Sequence, residues 1–169
     1  MMETLIERFK PIIYVPKEEA EYQLTKVLYE IYSSCAILWY YWPEDDYTGK
    51  PDYEPVILVF KEEQLAAIGI RPHEKYGYTT RWLAEGRRPI IVFTTPWHAP
   101  KVFQGKMRDF LTAAFASPVV SRRIEDYQLT REKPPEWYVK DGAKISVYDY
   151  ADMIIREGSK ERKDIYERM

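Results

Sequence analysis

The chain has no asparagine, four glutamines, one cysteine and seven glycines among its 169 residues. Each shortage excludes something. A single thiol, Cys35, rules out an internal disulfide and fits a reducing compartment. Seven glycines leave little room for a phosphate-cradling loop, and no Walker loop, G-x-G-x-x-G, G-x-S-x-G or H-E-x-x-H is present. The longest uncharged run, residues 31–43, is too short to span a bilayer. Charges interrupt the N-terminal stretch where a secretory leader carries its apolar core. These features predict a cytoplasmic protein with no membrane partner and no cofactor. The soft ligands His73, His98 and Cys35 are not paired at metal-binding spacing, so no metal is expected. Glu44, Asp45, Asp46 and Asp52 offer oxygen ligands, but they read as a solvated loop tip.

What the chain does have is charge and aromatics. Charged residues make up 31% of it, and there are 15 tyrosines. Few heat-labile amides beside many Glu, Lys and Arg is the bias of a heat-adapted organism. An apolar fraction of 46% is that of an ordinary globular domain. The net charge of −2 hides an asymmetry. Residues 1–70 carry 6 basic and 13 acidic groups, whereas residues 71–108 carry 8 basic and 2 acidic ones. A basic block behind an acidic one is a hint about partners.

Hydrophobic patterning predicts a strand at 11–15 and a helix over 17–34, with Ala20, Leu24, Val27, Leu28 and Ile31 on one face. "AILWYYW" (36–42) and "VILVF" (56–60) read as strands joined by a long acidic tip. "KEEQLAAIG" (61–69) suggests two helical turns, and "TTRWLAEG" either a short helix or a strand. "PIIVFTT" (89–95) is a strand, and 101–116 carries a helical stripe of Phe103, Met107, Phe110, Leu111 and Ala114. Residues 119–143 look irregular, 144–148 like a short strand, and Asp149 like the cap of a last helix. The expectation is a single α+β domain: a mostly antiparallel sheet with helices packed on one face. Its order suggests a ferredoxin-like split βαβ core over 11–117, with 118–169 as a C-terminal helical extension.

Two stretches carry candidate chemistry. The strand 89–95 runs into Thr94, Thr95, Trp97 and His98 between Pro96 and Pro100; a strand end rigidly aims the loop that leaves it. His98 is the candidate catalytic residue there, beside the plainer reading that Trp97 plugs the core. The basic block places Arg81, Arg87, Arg88, Lys101 and Lys106 among Tyr76, Tyr78, Trp82, Trp97 and Phe103. Charge beside stacking rings is the chemistry that binds single-stranded nucleic acid or another phosphate-bearing ligand. The same arginines would equally serve ion pairs with the acidic first half.

"PDYEPVILVFK" (51–61) begins and ends like a restriction-like nuclease strand, but Val59 stands where the metal-holding carboxylate is required. The order Gly-Tyr, strand, His in "YGYTTRWLAEG…VFTTPWHAP" is loosely similar to that of tRNA-splicing endonucleases, with Phe93 in place of the strand tyrosine. That resemblance implies a non-catalytic subunit of an RNA-processing complex. The sequence thus favours a non-enzymatic binding or assembly module. The alternatives are a small hydrolase or nuclease using His98 with Arg87 or Arg88 and Asp46 or Asp52, and a homo-oligomer joined through its aromatic surface.

Overall fold

A computed structural model describes residues 1–19, 27–42, 52–73, 77–82, 88–94, 99–103, 121–135 and 147–156. Helix α1 (Met2–Phe9) precedes strand β1 (Ile12–Pro16) and a 3-10 turn (Lys17–Glu19). Strands β2 (Val27–Tyr32), β3 (Cys35–Trp42), β4 (Asp52–Lys61), β5 (Gln64–His73) and β6 (Gly77–Trp82) follow. Then come β7 (Ile90–Thr94), β8 (Ala99–Phe103), β9 (Ser121–Ile124) and β10 (Leu129–Arg131). Residues 147–156 form helix α2.

The α+β expectation is overturned. The strands form two mixed sheets in the orders β8-β7-β1-β9 and β10-β2-β3-β4-β5-β6, and the helices are sparse. Strands β2 to β6 are an antiparallel meander, while β1 runs parallel to β7 and β10 parallel to β2. No ferredoxin-like layout is present in this order.

One expected helix is overturned outright and two others in part. Within 17–34, residues 27–32 are strand and 17–19 a single 3-10 turn; 20–26 lie outside the described residues. "KEEQLAAIG" is a hairpin, with Lys61 opposite Gln64 around a two-residue turn. Both turn residues, Glu62 (φ 54°) and Glu63 (φ 61°), are left-handed. This is the twist a tight hairpin needs, reached without the usual Gly or Asn. Residues 101–103, the expected first turn of another helix, belong to β8, and 104–116 lie outside the described residues. The strand expected at 144–148 is helical at 147 and 148. The irregular stretch 119–143 instead supplies β9 and β10, one edge strand to each sheet.

The core explains why β3 is apolar at almost every position. Ala36, Leu38, Tyr40 and Trp42 face inward, packing with Ile13, Val15, Ile91, Phe93 and Ile124 of the four-stranded sheet. Cys35, Ile37 and Trp39 point the other way, beside Ile57 and Ala67 and beneath Val147, Ala151 and Ile154 of α2. A strand covered on both faces shows no alternation of polar and apolar residues. Helix α1 closes one end of the inner core with Ile6 and Phe9, whose ring lies 6.1 Å from that of Phe60.

On the outer face, α2 approaches closely because Gly69 has no side chain. A Cβ there would stand 3.1 Å from Ile154 Cδ1 and 3.4 Å from Tyr150 Cε1. Among the described residues, no helix is long and apolar enough to cross a membrane.

Candidate functional site

The two ends of the sandwich differ. At one end, β2–β3 and β4–β5 are closed by two-residue turns at 33–34 and 62–63. At the other end Pro16, Val27, Trp42, Asp52, His73, Gly77, Thr94 and Ala99 terminate their strands. The pairings Trp42↔Asp52, His73↔Gly77 and Thr94↔Ala99 fix this, with Leu28 opposite Trp39. Phe93 brings the sheets together there, its ring 5.0 Å from Tyr40 and 4.9 Å from Trp42. The connections 17–26, 43–51, 74–76 and 95–98 therefore all start and finish at the same end. In sequence they hold seven acidic and four basic residues, with Tyr22, Tyr47, Tyr76 and Trp97.

The described walls of this end are aromatic and acidic. Tyr41 and Tyr53 face each other with ring centroids 5.1 Å apart. Asp52 and Glu54 lie two residues apart on β4, opposite Trp42 and Tyr40 in the ladder. Glu54 is buried and Asp52 half-buried. Burial raises the Tyr53 phenol above its ordinary range, with Tyr41 and Glu132 adding to the effect. Arg71, also buried, places its guanidinium 5.8 Å over the Tyr78 ring.

The residues singled out in the sequence divide between the two ends. Arg88 donates from Nε to the Lys10 carbonyl at 2.7 Å and from a terminal nitrogen to the Glu125 carbonyl at 2.5 Å. It thereby ties the α1–β1 junction to the chain leaving β9. All of β7 separates it from Thr94, where 95–98 begin; five extended residues span about 17 Å. Arg81 and Trp82 lie on β6 opposite Ile68 and Ala67, and Lys101 on β8 opposite Val92. Arg87, Trp97, His98 and the carboxylate Asp46 lie outside the described residues. Strand polarity alone thus places Arg88 at the far end of the sandwich from the strand exit that precedes His98.

Sequence reasoning missed Glu54, and it counted Arg71 and Tyr78 within the basic, aromatic block without pairing them. A faint signal existed for the first: acidic residues at i and i+2 share one face of a strand. It also missed a buried polar cluster on the outer face. There Glu30 accepts hydrogen bonds from Trp39 Nε1 at 2.9 Å and from the Tyr148 hydroxyl. Among the described residues, no group of three or more His, Cys, Asp or Glu is arranged to hold a metal ion.

The described residues form a mostly-β sandwich whose strand ends place the two-residue turns and the 83–89 connection at one end and the connections 17–26, 43–51, 74–76 and 95–98 at the other. No family model matches the chain, and no curated protein matches it. Among solved structures it is similar to one described as "NLPPya in complex with glucosamine", at 17% identity and a TM-score of 0.47. The match covers 61% of this chain and 67% of that one. A likeness of that size carries no functional argument.

Proposed function

We propose that the chain is a non-enzymatic binding module that takes a neutral or cationic polar ligand at the end bearing the long connections. The observation that carries this is the convergence of those connections on one end, where Asp52 and Glu54 stand opposite Trp42 and Tyr40 on one face of the sheet and Tyr41 pairs with Tyr53 on the other. A rigid sheet end aims its loops, so such ends are where binding residues gather. Rings beside carboxylates suit amines and hydroxyl-bearing ligands, since a cation is drawn to both the ring face and the carboxylate. An anion meets net negative charge there. Of the basic block, Arg71 is buried against Tyr78 and Arg88 is spent on two backbone carbonyls. Neither is presented to a phosphate, so nucleic acid is the weaker reading.

The test is a melting-temperature panel. Primary and quaternary amines and uncharged polyols stand against inorganic phosphate and an oligonucleotide of deoxythymidine, since a ligand of the native state raises its stability. A rise with an amine or polyol that vanishes in the Asp52→Asn variant supports the proposal. Stabilisation by phosphate or the oligonucleotide alone, weakening steeply with salt, would replace it with the anionic reading.

A further inference from the structure

Helix α2 and the strands beneath it form a unit apart from the sandwich interior. The inter-sheet core contains no residue of α2. The helix packs instead on the outer face, through Val147, Ala151 and Ile154 at positions i, i+4 and i+7. Two tyrosines and two carboxylates then exchange roles across the contact. Tyr148 of the helix donates to Glu30 of β2, and Tyr32 of β2 donates to both carboxylate oxygens of Asp152, each at 2.9 Å. The two rings lie 4.9 Å apart. Beside this clasp one flank of the helix fronts a cleft of about 540 Å³ lined by Ser33, Asp149, Asp152, Ile155 and Arg156. The helix is therefore seated by three buried apolar side chains, by the partly buried Tyr148, Tyr150 and Ile155, by the stack of Tyr150 on Tyr78 at 4.8 Å with its hydroxyl bonded to that of Thr80, and by the reciprocal pair, with open space along one side.

We propose that α2 is a clasp that opens as a unit while the sandwich stays folded, uncovering the Cys35–Trp39 strip of β3. Lifting the helix removes the cover of Cys35 and Trp39, both fully buried, and leaves the inter-sheet packing untouched. Elements held by few buried apolar contacts open below the global unfolding free energy. Cys35 is the chain's single thiol and therefore reports this opening without ambiguity. With the clasp closed, burial raises its pKa to about 12, and Asp152 adds to the shift, so the closed thiol is inert.

The experiment is alkylation of Cys35 by iodoacetamide in the full chain as a function of urea, with circular dichroism in the β-sheet band following the sandwich. Opening of the clasp alone exposes little surface. The labelling free energy should then fall with urea at a slope well under that of global unfolding. The paired substitution Tyr148→Phe with Asp152→Asn should speed labelling at least tenfold without urea while leaving the circular-dichroism midpoint almost unmoved. That midpoint is insensitive because the helix is already open before the sandwich unfolds. Should labelling in the wild-type chain share the global slope, the helix belongs to one cooperative unit and the proposal falls. The wild-type measurement decides even if the variant fails to fold.

Discussion

Tyr40 donates its hydroxyl proton to Tyr127 across 2.6 Å, deep between the two sheets. The direction follows from the next link, since Tyr127 donates its own proton to the Pro11 carbonyl, which only accepts. The relay joins β3, the segment between β9 and β10, and the start of β1. Lys10 closes it from the side, donating to the Tyr127 carbonyl at 3.2 Å and to Glu7 at 2.8 Å.

The two tyrosines should therefore differ on mutation. Tyr127→Phe strands the Tyr40 hydroxyl and removes the donor to Pro11, and should cost about 2–3 kcal/mol. Tyr40→Phe leaves the bond to Pro11 intact and should cost about 1 kcal/mol. Urea denaturation of the two variants checks the order; equal losses would contradict the donor assignment.

The Glu62–Glu63 turn holds two non-glycine residues in the left-handed region, which costs an L-residue about 1–2 kcal/mol. Replacing Glu63 with glycine should raise stability by about 0.5–1 kcal/mol despite the larger entropy of the unfolded chain. The thermal midpoint reads this directly, and a loss would show that the turn geometry is relieved in solution.

Stability should fall in alkali. Burial, then Tyr127, pushes the Tyr40 phenol well above its ordinary value of 10; burial likewise raises Tyr127 and Tyr148. For Tyr32 the hydrogen bond to Asp152 is the largest cause. A phenol whose folded pKa is raised favours the fold fully below the unfolded pKa. That advantage is lost as pH climbs above 10, because the unfolded chain ionises first. The urea midpoint should then be insensitive to tyrosine ionisation up to about pH 9 and decline beyond 10. The decline should be shallower in Tyr148→Phe.

Arg88→Ala should lower stability by about 1–3 kcal/mol through the lost bonds to the Lys10 and Glu125 carbonyls. Arg88→Lys should recover only part, since one ammonium does not reproduce a fork reaching two carbonyls. Any ligand found at the opposite end should bind the Arg88→Lys variant unchanged by titration calorimetry.

Strands with a one-sided environment or a dense apolar run were legible in the sequence: the spans 11–15, 36–42 and 89–95 overlap β1, β3 and β7, with ends shifted by at most one residue, and 56–60 lies within the longer β4. "VLYEIY" was not, because Val27 and Tyr29 pack inward while Leu28 and Tyr32 pack beneath α2. Burial on both faces erases the period of two, and the spacing then matched a helix by accident. Glu62 and Glu63 gave no turn signal because neither is Gly or Asn. The site was harder still. Which connections share an end depends on strand pairing between residues as distant as Ile13 and Ile124, and no local pattern encodes that.

The order of the strands in the chain sets a timetable for synthesis. Strands β2 to β6 each pair with their sequence neighbours along the meander, β10 adding only at the outer edge of β2, so a growing chain can zip them as each leaves the ribosome. β1 emerges earlier, yet its partners β7 and β9 are translated only after the meander, ending at Thr94 and Ile124. The first strand made is thus among the last to dock. During that interval "PIIYV" is a bare apolar ribbon, and the newborn protein is most exposed to sticking to its neighbours there.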